Sequence, residues 1–262
     1  MANDNLFTDG AAYERLMGRW SRLVGEVFLD WIAVPKKLRW IDVGCGTGAF
    51  TEELIKHSSP AAVMAVDPSA EQLAFARERP ALATAEFRVG DAQDLAFEDN
   101  SFDIAVMALV VHFVPEPSRA IAEMARVVRP GGWVTTYVWD YSLGGSPTAP
   151  IAAAVKSLGF DSPAPPSPQA TSLPALKEMW GSAGLVEIET HVITIPVTFA
   201  NFDEFWDSMS APVGPGGKAI AEMSAENVEK VRTQLRVQIP AQADGRVVYQ
   251  AIANAIKGRQ SA

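Results

Sequence analysis

Three glycines and a preceding carboxylate form the most distinctive group of residues in this chain. Asp42 ends a short apolar run, and Gly44, Gly46 and Gly48 follow it directly before a helix-compatible stretch. Glycine lets the backbone turn sharply and lets a ligand lie against it. The N-terminus of the following helix presents free N–H groups. The pattern therefore predicts a loop that binds a nucleotide-like ligand.

Two further carboxylates and a histidine follow later predicted strands. Asp67 ends the second strand, Asp91 follows the third, and His112 follows the fourth. The carboxyl ends of parallel strands form the edge where such sheets bind ligands. The apolar neighbours of His112 predict a lowered pKa, and this residue is the candidate general base. The alternative for His112 is a packed or hydrogen-bonded core residue.

The elements that must position these residues alternate along the chain. Apolar runs predict strands over 38–43, 62–66, 84–89, 102–108, 133–139, 186–195 and about 246–256. Helical patterns between the early strands indicate crossover connections and a parallel α/β sheet. A helix before the first strand, capped by Thr8 or Asp9 and stopped by Pro35, carries one apolar stripe. That stripe comprises Tyr13, Leu16, Met17, Trp20, Leu23, Val24, Val27, Phe28 and Trp31.

Composition narrows the class of protein. The chain has 262 residues, 48% hydrophobic and 20% charged, which fits a packed soluble core. A net charge of −9 argues against a nucleic acid or an anionic membrane surface as partner. No stretch approaches the roughly 20 apolar residues of a membrane span. The single cysteine, Cys45, and an N-terminus unlike a signal peptide favour the cytoplasm. We expect no metal site.

Two ligand classes fit the glycine loop by itself. The spacing Gly44-x-Gly46-x-x-Ala49 satisfies the relaxed dinucleotide fingerprint, and Asp67 lies nineteen residues beyond Gly48. An NAD-dependent oxidoreductase is therefore one interpretation. This motif alone does not decide between the ligands.

Five segments in order carry a more specific resemblance. They are residues 41–48, 66–69, 90–95, 101–103 and 123–132. With these segments the chain resembles the class I S-adenosylmethionine-dependent methyltransferases, in the small-molecule branch near the ubiquinone and menaquinone biosynthesis enzymes. The resemblance is strong over residues 13–139, and beyond them only the order of elements matches. It implies a Rossmann-like seven-stranded, mostly parallel sheet with an antiparallel last strand, helices on both faces and a helical insertion before that strand.

The resemblance also implies a donor site. Its residues would be Tyr13, Arg19, Asp42, Gly44, Cys45, Gly46, Gly48, Asp67, Asp91, Ala92 and Leu109. In this scheme Asp42 faces the ammonium group of S-adenosylmethionine, Asp67 accepts the ribose hydroxyls, and Asp91 accepts from the adenine amino group. Structural alternatives stay open: turn glycines, a helix cap at Asp67, an ordinary loop residue at Asp91, a packed Cys45, an apolar-stripe Tyr13 and a solvated Arg19.

The predicted organisation is a single methyltransferase domain over residues 1–262. Within it we expect an N-terminal lid helix (1–35), a cofactor-binding core (36–139), a loop insertion (140–173) and a helical insertion (199–242) that forms part of the acceptor pocket. Apolar residues of that insertion are Phe199, Phe202, Phe205, Trp206 and Met209, for which core packing is the alternative. The expected reaction is in-line methyl transfer to a small, partly apolar or aromatic acceptor. A non-catalytic protein that binds S-adenosylmethionine or S-adenosylhomocysteine is the second hypothesis.

Overall fold

A seven-stranded sheet runs through the part of the chain that the computed structural model describes, residues 10–160 and 164–261. Its strands are β1 (Arg39–Val43), β2 (Ala62–Asp67), β3 (Ala85–Val89), β4 (Phe102–Ala108), β5 (Val128–Trp139), β6 (Val186–Phe199) and β7 (Val247–Arg259). The strand order is β3-β2-β1-β4-β5-β7-β6. Pairing is parallel from β3 to β5, and β7 is antiparallel to β5. The predicted fold class is confirmed.

Helices connect these strands. They are α1 (Gly10–Ile32), α2 (Ala49–Ser58), α3 (Ala70–Arg77), α4 (Pro117–Val127), α5 (Ala149–Ser157), α6 (Leu173–Ser182), α7 (Phe202–Met209), α8 (Gly214–Ala221) and α9 (Ala225–Gln238). The last three lie between β6 and β7, as the predicted helical insertion requires. No helix among the described residues is both long enough and apolar enough to cross a membrane.

The first helix buries a narrower stripe than the sequence predicts. Trp20, Val24 and Phe28 are buried, whereas Leu23 and Val27 are 43% and 40% exposed. Residues four apart form a row along one face of a helix, so the first three form one row and Leu23 and Val27 form the neighbouring row at the edge of the stripe. The predicted caps, Thr8 and Asp9, lie outside the described residues.

The strand β5 begins earlier than predicted. The sequence predicts a strand over 133–139, yet β5 already begins at Val128. Main-chain bonds explain the difference, because Gly131 N donates to Gln260 O (2.9 Å) and Gln260 N donates to Gly132 O (3.0 Å). The segment is thus held by the end of the chain, with an irregular register between Phe102 and Ile104.

The chain divides into two compact units. The sheet unit comprises Ser21–Ser142, Pro165–Ile193 and Ala253–Ala262, and the helical unit comprises Met1–Trp20, Leu143–Ala164 and Thr194–Ile252. In the sheet unit, buried apolar residues of β1, β4 and β5 pack with those of α4 and α6. In the helical unit, α5 packs against α8 and α9. The single-domain organisation with its lid and insertions stays a prediction.

Candidate active site

Four strand ends bring the predicted site residues of the sheet unit to one edge. The strands β3, β2, β1 and β4 are parallel neighbours. Their carboxyl ends carry Asp91, Asp67, Asp42 and Leu109. The register pairs Val43 with Val66, so the aspartates of β1 and β2 belong to adjacent strand ends. This edge is where parallel α/β sheets bind ligands.

The glycine loop between β1 and α2 is fixed by main-chain bonds. Gly44 N and Cys45 N both donate to Val66 O, at 2.7 and 3.0 Å, and Gly48 N donates to Cys45 O at 2.9 Å. The three glycines have φ angles of 80°, 55° and 77°. Such left-handed angles favour glycine, and the alternating pattern follows from them. Gly48 also caps α2 without any side-chain hydrogen bond.

Protein side chains occupy the space that these glycines leave. A Cβ on Gly44 would lie 2.5 Å from Val110 Cγ1, and one on Gly48 would lie 2.4 Å from Leu82 Cδ1. A Cβ on Gly46 would lie 2.8 Å from Gln72 Oε1. The glycines therefore permit close packing of the loop as well as its sharp turn.

Asp67 links the glycine loop to the start of α3. Its Oδ2 accepts from Gly46 N (2.8 Å), and its Oδ1 accepts from Ser69 N (2.9 Å). Burial raises the pKa of this carboxyl, with only 7% of the residue exposed. The helix cap itself is Ser69, whose hydroxyl accepts from Gln72 N at 3.2 Å. Asp67 is therefore not the cap of α3.

Asp42 is fully buried and only half satisfied. Thr51 Oγ1 donates to its Oδ2 at 2.7 Å, whereas its Oδ1 has no partner among the described residues. The pKa of this carboxyl is raised to about 7, mainly by burial and to a smaller extent by the charge of Asp67, against the lowering effect of the Thr51 bond. A buried polar atom without a partner is costly and commonly marks a functional position.

The adenine-side residues are more open. Asp91 is exposed, and its Oδ1 accepts from Gln93 N at 2.8 Å, a bond that an ordinary loop aspartate also forms. Ala92 is partly buried against the apolar core of the sheet unit. Leu109 has a φ of 60° and donates through its N–H to Tyr137 O at 2.8 Å. A left-handed leucine costs conformational energy, which is typical of functional positions.

His112 is enclosed by aromatic rings. It is 2% exposed, and its ring centroid lies 3.9 Å from that of Phe113 and 4.9 Å from that of Tyr141. Its Nδ1 has no partner among the described residues. Burial lowers its pKa to about 3, in the predicted direction, so the imidazole is neutral at physiological pH. A neutral imidazole can accept a proton, although such a low pKa makes it a weak base.

Three residues of the predicted donor site are not observed with a side chain at this edge of the sheet. Cys45 is buried against Ala65 and Leu73, and burial raises the pKa of its thiol, so it stays protonated and packed. The guanidinium of Arg19, in the helical unit, lies over the rings of Trp20 (4.3 Å) and Phe199 (4.7 Å). The side chain of Tyr13 lies outside the described part of the structure. Their roles in donor binding stay predictions.

Sequence reasoning missed several residues that shape this edge. They are Thr51, Gln72, Arg79, Leu82 and Val110. Only Thr51 could have been found from the sequence, because its hydroxyl lies in the first helix turn after the glycine loop. The others act through contacts between segments distant in sequence. Across the described residues no cluster of three or more His, Cys, Asp or Glu side chains could hold a metal ion.

Comparison with known proteins identifies the segment that contains this edge. Residues 41–136, from β1 into β5, match the family profile described as a methyltransferase domain. Residues 41–136 form a methyltransferase domain. The domain includes the glycine loop, the three predicted carboxylates and His112.

Curated relatives of the methyltransferase domain include quinone-pathway enzymes. The 2-methyl-6-phytyl-1,4-hydroquinone methyltransferase 2, chloroplastic, of Oryza sativa subsp. japonica is 43% identical over 97 residues, which cover 37% of this chain and 28% of that protein. A ubiquinone/menaquinone biosynthesis C-methyltransferase of Dinoroseobacter shibae is 32% identical over 121 residues, covering 45% and 48%. The chain thus spans less than half the length of these relatives.

A solved structure extends the likeness to most of the chain. Phosphoethanolamine N-methyltransferase 2 of Haemonchus contortus, in complex with S-adenosyl-L-methionine, has a TM-score of 0.59 and 18% identity, covering 96% of this chain and 56% of that chain. At this identity the likeness shows the fold alone. Outside residues 41–136, this comparison therefore supports the course of the fold and no statement about activity.

Proposed function

We propose that this protein is an S-adenosylmethionine-dependent methyltransferase that acts on a small, partly apolar or aromatic acceptor. The observation that carries the proposal is the pair of buried carboxylates, Asp42 and Asp67, at adjacent strand ends beside the glycine loop of a methyltransferase domain. The complex of the Haemonchus contortus enzyme with S-adenosyl-L-methionine supports the choice of donor.

The charges beside the loop favour an adenosyl-sulfonium ligand over a dinucleotide. S-adenosylmethionine carries an ammonium and a sulfonium, which the carboxylate of Asp42 attracts when it is ionised, whereas the same charge would repel the diphosphate of NAD. Asp67 fits the ribose of either ligand and does not discriminate between them. Asp67 is proposed to accept the ribose hydroxyls, because each of its oxygens accepts only one bond from the protein. The unpartnered Oδ1 of Asp42 is proposed to face the ammonium, directly or through water.

Other donor contacts are proposed from the same edge. We assign the adenine to Asp91 and the N–H of Ala92, and the methionine end to the carbonyl of Gly44 and the backbone of Leu109. Gly46 and Gly48 keep the loop in the required conformation. Cys45 is proposed to contribute only its backbone and its packing, because its side chain faces the core.

The chemical step demands little from the protein. The donor supplies an activated methyl group, so holding the accepting atom close and collinear with it provides most of the acceleration. The bond from carbon to the acceptor forms as the bond from carbon to sulfur breaks, and S-adenosylhomocysteine leaves with a neutral sulfur. Where the acceptor must lose a proton, His112 is the proposed base. Because His112 is only 2% exposed, we propose that a neighbouring side chain, such as that of Tyr141, moves aside before the acceptor reaches it.

The proposal of an apolar or aromatic acceptor rests on the names of two relatives and on the apolar residues of the helical insertion. Two relatives are named for hydroquinone and quinone-pathway substrates, which fits an aromatic acceptor. All five apolar residues singled out in the helical insertion are buried in the helical unit, which favours the core-packing interpretation for them. The proposed acceptor contacts of the insertion therefore need a direct test.

A transfer assay tests the proposed function. The protein is incubated with methyl-labelled S-adenosylmethionine and a panel of phenols, hydroquinones and amines, and label in each acceptor is counted. We expect transfer to at least one apolar hydroxylated aromatic compound. Donor binding without transfer to any compound in the panel would favour the non-catalytic binding protein instead.

A further inference from the structure

One arginine outside the predicted site forms a hydrogen bond with the backbone of the glycine loop. Arg79 lies just past α3, and its Nη1 donates to the carbonyl oxygen of Thr47 at 2.9 Å. Its Nη2 forms an ion pair with Glu52 in the first turn of α2. Both side chains are partly buried, at 24% and 18% exposure. A single planar guanidinium therefore joins the loop to the helix that follows it.

These bonds fix the orientation of one peptide unit in the loop. The peptide between Thr47 and Gly48 is held on its carbonyl side by Arg79 and on its N–H side by Cys45 O, at 2.9 Å in each case. Since Gly48 has a left-handed φ of 77°, this peptide has a conformation that a free loop would leave readily. Two opposed hydrogen bonds restrict its rotation.

The same segment also fills the space beside the loop. Arg79 directly precedes the turn Pro80–Leu82, and the fully buried Leu82 lies where a Cβ on Gly48 would be. One short segment, residues 79–82, therefore makes a polar contact with Thr47 and an apolar contact beside Gly48, two consecutive residues of the loop. The connection between α3 and β3 consequently supports the ligand loop as well as joining two elements.

The electrostatic state of the pair supports a persistent contact. A hydrogen bond from Lys56 is the main cause that lowers the pKa of Glu52. Burial opposes it, and the charge and hydrogen bond of Arg79 lower the pKa further. Glu52 is therefore ionised at neutral pH, and it begins the main-chain ladder of α2 through Glu52 N to Gly48 O at 3.0 Å. Charge-assisted bonds of this kind are stronger than neutral ones.

We propose that Arg79 is a positioning residue for donor binding, which holds the Thr47–Gly48 peptide in the conformation that receives S-adenosylmethionine. The inference rests on the proposed function. Without the guanidinium, we expect the fold to stay intact but the loop to be less ordered in the free protein. Donor binding must then order the loop, which makes the binding free energy less favourable. The donor affinity should fall while the sheet stays folded.

The test uses variants of the full chain with a matched control. Arg79→Ala removes both bonds of the guanidinium, and Arg79→Lys keeps a charge for Glu52 but loses the fork. Glu52→Gln removes the ion pairs of Glu52 with Arg79 and Lys56 and leaves the bond from Arg79 to Thr47 O in place. Arg77→Ala is the control, because Arg77 Nη2 donates to Phe87 O at 2.9 Å, a main-chain carbonyl of β3 outside the loop. Affinity for S-adenosylmethionine is measured by calorimetry, and amide exchange over residues 44–52 by mass spectrometry.

We expect a roughly tenfold weaker affinity in Arg79→Ala, smaller losses in Arg79→Lys and Glu52→Gln, and wild-type affinity in Arg77→Ala. Free Arg79→Ala should exchange faster over 44–52, and saturating donor should restore its protection. Equal affinity and exchange in all four variants would overturn the inference and leave the proposed function standing. A wild-type protein that does not bind the donor would instead refute the proposed function. Should Arg79→Ala fail to fold, Arg79→Lys and Glu52→Gln decide by the same criteria.

Discussion

Individual carboxylates carry the proposed donor site, and burial determines their behaviour. Asp42 and Asp67 lie at adjacent strand ends, and burial raises the pKa of each. The sequence predicted both residues because each ends an apolar run beside a glycine or a helix start. It could not predict that Thr51 satisfies one oxygen of Asp42, since that contact depends on the pitch of α2 relative to β1.

Asp67→Ala should weaken the affinity for S-adenosylmethionine by about 1–3 kcal/mol, through loss of the ribose contacts. The measurement is a calorimetric titration at pH 8. Ser69→Ala is the control, because it removes the cap of α3 but leaves the carboxylate in place. An unchanged affinity in Asp67→Ala would remove this residue from the donor site.

Asp42→Asn should change stability and donor affinity in opposite directions. Because burial raises the folded-state pKa from 3.8 to about 7, the folded state binds more protons, and the free energy of unfolding falls as pH rises through that window. Asparagine does not ionise, so this variant should be more stable than wild type at pH 8, by up to about 4 kcal/mol. Its donor affinity should be lower at pH 8 and should lack the rise that we expect for wild type between pH 6 and 8.

Denaturant unfolding and calorimetry at pH 5.5 and pH 8 measure both effects. Asparagine retains an oxygen that can accept from Thr51, so the variant is a close structural match. A wild-type affinity that does not depend on pH would contradict the proposed contact between Asp42 and the donor ammonium.

His112→Ala should slow a proton-requiring transfer by roughly a hundredfold and leave donor affinity intact. The imidazole of wild type is already neutral above a pKa of about 3, so its titration should give no inflection in the rate between pH 5 and 8. Initial rates and donor affinities of His112→Ala and His112→Gln check this expectation. Wild-type rates in both variants would return His112 to the core-packing interpretation.

At the scale of elements, the glycine loop depends on its neighbours as much as on its own sequence. Glycines at alternate positions predicted a tight turn, and three left-handed φ angles explain them. The contacts with Val110, Gln72 and Leu82 were beyond sequence reasoning, because they join segments more than twenty residues apart. The same holds for β5, whose early start depends on pairing with the end of the chain.

Gly44→Ala should destabilise the sheet unit more than Gly131→Ala does. Both positions have left-handed φ angles, 80° and 75°. A Cβ added at Gly44 would clash with Val110, whereas a Cβ added at Gly131 would have no atom within 4 Å. The comparison therefore isolates the steric clash from the conformational cost. We expect a difference of about 1–3 kcal/mol in the free energy of unfolding, measured with denaturant.

Val110→Ala removes the two methyl groups nearest to the new Cβ and should recover part of that difference in the Gly44→Ala background. Equal destabilisation at Gly44 and Gly131, with no rescue, would contradict the packing explanation for this glycine.

At the scale of the whole molecule, residues 13–139 were the most predictable part. In that range the hydrophobic period, the turn residues and the strand-end carboxylates all predict the same element boundaries. The structure has the predicted alternation of strands and helices there. The second half offered proline-rich and helical segments whose packing depends on distant partners, such as α5 with α8 and α9. The acceptor contacts are predicted for this half, and for that reason the donor is easier to propose than the acceptor.

The central claim is that the carboxylates and glycine loop of the methyltransferase domain bind an adenosyl-sulfonium donor. A calorimetric titration of the wild-type chain with S-adenosylmethionine, S-adenosylhomocysteine and NAD tests it most directly. We expect one site that binds the first two compounds and does not bind NAD. Binding of NAD alone, or no heat with S-adenosylmethionine at any pH between 6 and 8, would contradict it.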